Sequence, residues 1–238
     1  MIRTMVYEPL RVNNQADLVP HKPFMKGSAF VTEQIFEVVL SMASDLIVIS
    51  DHGKKIPLLT IDQLSHLFQT TCLLGGIGKR VRRGMGSYSI VKTSRNSEFP
   101  VDYKNPENIE QIFSILKLAG GGNFELVNGI IYSRFHKNEP YPYIKQIQLG
   151  RPDNNTLKKV SQATHDLHDR DERDRKFVYG PSLGTARGGR FASPVYVSNI
   201  LSNKGLMPVI TTLNTVPASE NRAKVDTNLQ EEFRKRIL

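Results

Sequence analysis

Apolar and polar positions alternate loosely over residues 30–40, which predicts a strand, and a short apolar run at 46–50 predicts a second strand or the end of a connection. Asp51, His52, Gly53, Lys54 and Lys55 read as a turn. The period then changes. Leu58, Leu59, Ile61, Leu64, Leu67, Phe68, Cys72 and Leu73 recur at helical spacing, and Thr60 offers an N-cap, so a helix is predicted over about 58–74. Tyr88, Ser89, Ile90 and Val91 predict a strand near 87–93. Asn96, Ser97, Pro100, Asn105 and Pro106 mark 94–108 as a linker.

Beyond the linker, Ile109, Ile112, Phe113, Ile115, Leu116 and Leu118 define an amphipathic helix stopped at Gly120, Gly121 and Gly122. Residues 124–135 are strand material broken at the hairpin dipeptide Asn128-Gly129. Alternation from Tyr143 to Gly150 predicts a strand, a helix is expected over about 155–173, and strands are expected after residue 197 and over 207–213. Residues 1–23 show no clear period, and the charged stretch 220–238 reads as a terminal helix or an extension. The pattern therefore divides into residues 1–100, residues 101–218 and a charged tail, 219–238.

Two segments interrupt this pattern with glycine and positive charge. The first, residues 75–87, holds five glycines (Gly75, Gly76, Gly78, Gly84, Gly86) and four cations (Lys79, Arg80, Arg82, Arg83) in thirteen positions. Glycine lets another backbone approach closely, and clustered cations repel one another unless water or an anion lies against them. The segment reads as a loop shaped to lie along a polyanion. Its order is helix, glycine loop, strand. P-loops and dinucleotide folds run strand, glycine loop, helix, and neither of their spacings can be spelled here. The second segment, residues 179–197, carries Arg187 and Arg190 among Gly180, Gly184, Gly188 and Gly189, and it too follows a helix and precedes a strand.

The run Gly-Gly-Ile-Gly-Lys-Arg-Val-Arg-Arg-Gly-Met-Gly-Ser at 75–87 resembles the glycine-rich loop of the CRISPR-associated RAMP superfamily, the RNA-binding subunits of type III effector complexes. Its paired form is most similar to that of the capping subunit of type III-B complexes, and the stretch from Arg187 to Val197 is similar to a segment near the end of the same subunit. The resemblance covers residues 28–93 and 140–216. It implies an α+β fold of tandem ferredoxin-like (RRM-like) domains, in which residues 28–93 form the second half of the first domain and leave little room ahead of them for a first strand and helix. It implies guide RNA, target RNA or both as partners, together with other RAMP-type subunits, and no cofactor. RNA would be held by Gly75, Gly76, Gly78, Lys79, Arg80, Arg82, Arg83, Gly84, Gly86, Arg187 and Arg190. Lys176 would add charge, and Tyr88, Tyr179, Phe191 and Tyr196 are candidates to stack on bases. Backbone subunits of such complexes cut RNA with a loop aspartate and a metal ion. Asp17 is the one position that this alternative nominates, and magnesium would be needed only there. A third reading is a structural adaptor whose basic loops meet acidic proteins.

Composition fits these expectations without selecting among them. With 238 residues, 39% of them hydrophobic and 23% charged, the chain is of ordinary globular composition, and its net charge of +9 suits a polyanionic partner. No apolar run is long enough to span a bilayer, residues 1–8 have no signal-like core, and the single cysteine excludes an internal disulfide, so a cytoplasmic protein is expected. Metal-ligand types crowd together only at His165, Asp166, His168 and Asp169, where alternating acids and arginines on a surface helix account for them and no metal site is expected. Ser193 lies in Ala-Ser-Pro rather than a nucleophile elbow, so nucleophilic catalysis has no support.

Overall fold

A computed structural model describes residues 2–4, 34–42, 46–49, 52–77, 81–90, 105–120, 122–134, 141–174, 183, 192–214 and 226–238. The architecture is α+β. Strands β1 (Ile2–Thr4), β2 (Gln34–Phe36) and β5 (Tyr88–Ile90) form an antiparallel sheet in the order β2-β1-β5. Strands β3 (Leu46–Ile49) and β4 (Lys55–Leu59) form a separate hairpin. The main sheet is antiparallel and five-stranded. It comprises β6 (Phe124–Val127), β7 (Ile130–Ser133), β8 (Ile144–Leu149), β9 (Val195–Ser202) and β10 (Gly205–Leu213), in the order β6-β7-β8-β10-β9. This sheet with its helices is compatible with a ferredoxin-like fold.

Helix α1 (Ile61–Leu74) starts where its chemistry starts. Thr60 is extended and its hydroxyl accepts from the Gln63 N–H at 3.2 Å, while the Gln63 side chain accepts from the Thr60 N–H at 2.9 Å. This capping box settles the boundary. Leu58 and Leu59, expected in the helix, instead end β4, and of the residues read as a plain turn at 51–55, Lys55 begins that strand. Helix α2 (Ile109–Leu118) is capped by the Asn108 side chain, and the chain leaves it through Gly120 at φ +95°. The expected turn at Asn128-Gly129 joins β6 to β7 with φ +50° and +73°, the type I′ geometry that suits strand twist.

Helices cover both faces of the main sheet. Strands alternate their side chains between faces, and the alternation sorts the core. Ile131, Ile147, Ile200, Met207 and Val209 pack against Leu73 and Leu74 of α1 and Ile109, Ile112 and Leu116 of α2. Val195, Val197 and Ile210 face the other way, onto Val160, Ala163 and Leu167 of α3 (Thr156–Asp174) and Phe233 and Ile237 of α4 (Thr227–Ile237). Within the charged tail, Thr227–Ile237 is thus a helix whose Phe233 is wholly buried, part of the second half's core rather than an appendage. Residues 1–23 show no period, yet β1 is the central strand of its sheet; three residues are too few to show one. No described helix is long and apolar enough to cross a membrane.

Candidate nucleic-acid interface

The first glycine-basic segment leaves α1 at Gly75, whose N–H donates to the Thr71 carbonyl at 3.0 Å. The Ile77 N–H donates to the Gly86 carbonyl at 2.9 Å and closes the base of the loop. Between them, Val81–Arg83 form one 3-10 turn. Gly84 and Gly86 have φ of +79° and +71°, a region costly for other residues. A Cβ at Gly86 would lie 2.0 Å from the Ile77 oxygen, and one at Gly84 2.9 Å from Asn199 Nδ2. Gly75 and Gly76 are similarly crowded, by Thr71 and by Val81 and Gly86. The four described glycines therefore make room for this chain's own atoms. That corrects the expectation that they clear space for a partner's backbone.

The turn docks on β9, an edge strand. In its pairing with β10, the outward-pointing backbone groups of β9 are those of Val195, Val197 and Asn199, and the loop meets each of them. The Gly84 N–H donates to the Val197 carbonyl at 2.8 Å, and the Asn199 N–H donates to Ser87 Oγ at 2.9 Å. The Asn199 amide returns a bond to the Gly84 carbonyl at 2.8 Å. Ser198 Oγ–H donates to the Leu73 carbonyl at the end of α1. An exposed edge strand invites pairing with other chains, and this loop covers it.

Arg82 and Arg83 belong to the same arrangement. Arg83 Nη1 donates to Ser193 Oγ at 3.1 Å and to the Val195 carbonyl at 3.3 Å, and Nη2 donates to the Leu183 carbonyl at 3.1 Å. Its guanidinium stands 5.0 Å from the Phe233 ring centroid. No carboxylate among the described residues is paired with it. Burial, and then the neighbouring Arg82 charge, push its pKa down to about 10. Arg82 Nη1 donates to the Ser193 carbonyl at 3.0 Å, with its guanidinium 4.6 Å over the Tyr196 ring. Two of the four expected phosphate ligands are thus turned onto protein, because neighbouring carbonyls and rings satisfy them there.

The remaining expected residues separate in the same way. Gly78, Lys79, Arg80, Arg187, Arg190, Lys176, Tyr179, Phe191 and Asp17 lie outside the described residues. Tyr88 is buried against Cys72 and is no stacking platform; burial raises both their pKa values, the Cys72 thiol to about 11. Tyr196 is half-buried beneath Arg82. Asp166 accepts from Gln162 Nε2 at 2.5 Å and from Arg236 Nη1 at 2.7 Å, an ion pair that links α3 to α4, and no metal-binding group occurs among the described residues. Ser193 Oγ–H donates to the Val195 carbonyl at 2.9 Å and accepts from Arg83, which is a structural role. Ser87, Ser193, Ser198 and Asn199 carry no mark of loop anchors in the sequence. Their partners lie 110 or more residues away in the chain, so no spacing signals them. Compared with known proteins, the chain matches no family model, no curated protein and no solved structure.

Proposed function

We propose that this chain is an RNA-binding subunit of a type III CRISPR ribonucleoprotein, similar to the capping subunit its loop sequence resembles, holding guide or target RNA along the glycine-basic segment 75–87. The observation that carries the reading is the loop's anchorage: it is pinned to α1 at Gly75, closed at Ile77–Gly86 and fixed to β9 at Gly84 and Ser87. Lys79 and Arg80 stand in the sequence between those fixed points, where an ordered support lowers the entropy lost on gripping a flexible strand. The net charge of +9 favours the encounter.

Strand order supports tandem ferredoxin-like domains. In the first half the order β5-β1-β2, with α1 between β2 and β5, is that of the last, first and third strands of such a fold. In the second half, β7-β8-β10-β9 with α3 after β8 and α4 after β10 is the same sheet with its last strand moved ahead of the first.

Filter binding of single-stranded RNA across a salt series tests the proposal. Wild type is expected to bind, with affinity falling as salt rises. Lys79→Ala with Arg80→Ala should reduce the slope of log K against log salt by ~1.4, about 0.7 for each phosphate contact on a single strand. Absence of RNA binding by wild type refutes the function, and an unchanged slope in the double variant refutes this loop as its site. RNA co-purified from the native host with its partner subunits tests the assignment to a CRISPR complex.

A further inference from the structure

The face of the main sheet that packs on α3 and α4 changes chemistry partway across. Cross-strand register gives two rows of side chains on that face. One runs Val127, Ile130, Gln148, Ile210, Val197, and the other Glu125, Tyr132, Gln146, Thr212, Val195. Over β10 and β9 the rows are buried beneath α3 and α4 and are apolar except at Thr212, whose Oγ1 accepts from Arg234 of α4 at 3.4 Å. Over β6, β7 and β8 they turn to tyrosine and glutamine. Tyr132, Gln146 and Ile130 are half-buried, Val127 is exposed, and Ile130 joins neither core.

We propose that this polar half of the sheet face, centred on Tyr132 and Gln146, binds an unpaired nucleobase of single-stranded RNA; the inference rests on the RNA-binding reading above and adds a second site to it. Tyr132 and Gln146 are directly opposite across β7 and β8, so a base stacked on the ring would lie beside an amide that both donates and accepts. Aromatic rings on a sheet with polar neighbours hold bases by stacking and edge hydrogen bonds. Gln148 Oε1, next along β8 on the same face, is shut from solvent without a hydrogen-bond partner. Turning that amide onto a base edge would satisfy it. Lys145, the residue at the β8–β10 register shift, is exposed beside Gln146 and offers a cation to the backbone of the strand. Glu125, the one acid in these rows, is countered by Arg134 at 3.5 Å. A protein partner's apolar face would be poorly matched by two glutamines, whereas a base is matched by them.

The test uses the full chain, fluorescein-labelled oligouridylate, and heparin as a polyanion without bases. Tyr132→Ala and Gln146→Ala are expected to weaken oligouridylate binding, the former by about tenfold, with the salt slope and heparin affinity unchanged; Tyr132→Phe keeps the ring and should retain affinity. Because Tyr132 is half-buried, ultraviolet crosslinking of wild type to 5-bromouridine RNA supplies a readout that does not depend on how the variants fold, and a crosslink within β7 or β8 is expected. Wild-type RNA binding with unaltered affinity in Tyr132→Ala, or crosslinks confined to residues 75–87, overturns the platform and leaves the loop reading standing. No RNA binding by wild type overturns both.

Discussion

Replacing Arg83 by alanine separates a structural cation from a phosphate ligand, and the geometry gives its size. The variant leaves the Leu183 carbonyl without its Arg83 donor, about 1–3 kcal/mol. It forfeits the contact with the Phe233 ring, worth about 2 kcal/mol when desolvated, and about 1.5 kcal/mol of packing from two methylenes. Val195 loses less, because its carbonyl keeps the Ser193 hydroxyl at 2.9 Å. Against these losses stands the relief of burying a charge. Lowering the guanidinium from its ordinary value to about 10 corresponds to roughly 3 kcal/mol against the charged form at neutral pH. The net expectation is a loss of about 2–3 kcal/mol.

Urea unfolding followed by circular dichroism reads that loss directly, and a thermal midpoint lower by about 5–10 °C should accompany it. Under conditions where both proteins are folded, the salt slope of RNA binding should be the same for Arg83→Ala and wild type, since a guanidinium committed to carbonyls displaces no counterions from phosphate. Arg83→Lys should recover little of the stability, because an ammonium cannot reproduce the planar fork spanning Val195, Ser193 and Leu183. The reasoning fails if Arg83→Ala unfolds within about 0.5 kcal/mol of wild type while its salt slope drops.

Two further outcomes are expected. Gly86→Ala should cost more than about 2 kcal/mol, since it adds a backbone clash to an unfavourable φ, whereas Gly53→Ala, at the same φ with open space around it, should cost only about 1 kcal/mol; equal losses in urea unfolding would refute the crowding at Gly86. The Cys72 thiol is pushed up from 9.0 to about 11, so the fold retains a proton that the unfolded chain releases. The resulting stability is complete below about pH 9 and is lost as pH rises to about 11; Cys72→Ala should flatten the decline of urea midpoints over that window, and parallel declines would refute it.

The elements that could be read from the sequence are those whose information is local. Helix α2 announced itself by its apolar stripe and its glycine stop, and β6–β7 by Asn128-Gly129. The strand β1 could not be read, because its three residues are defined by β2 and β5 on either side. The site was legible as composition and illegible as direction. Consecutive residues of a 3-10 turn point to different sides, so the identities of Arg82 and Arg83 do not say which way each turns. That is decided by a strand more than 100 residues later, whose carbonyls and Ser193 hydroxyl accept their N–H groups.

On the RNA-binding proposal, the segment 75–87 divides its charge between two tasks that one side chain cannot perform together. Covering an edge strand requires donors held at fixed carbonyls, and gripping RNA requires cations able to follow a phosphate backbone. Arg82 and Arg83 are committed to Ser193, Val195 and Leu183, which leaves Lys79 and Arg80 for the second task. Four cations acting on RNA would contribute a slope near 2.8 at about 0.7 each, and two would contribute ~1.4. Reaching the larger figure would mean drawing Arg82 and Arg83 off the protein, which would take the guanidinium donors from the Ser193 and Leu183 carbonyls beside β9. On that proposal, a slope of ~1.4 and an undisturbed sheet edge are consequences of one partition.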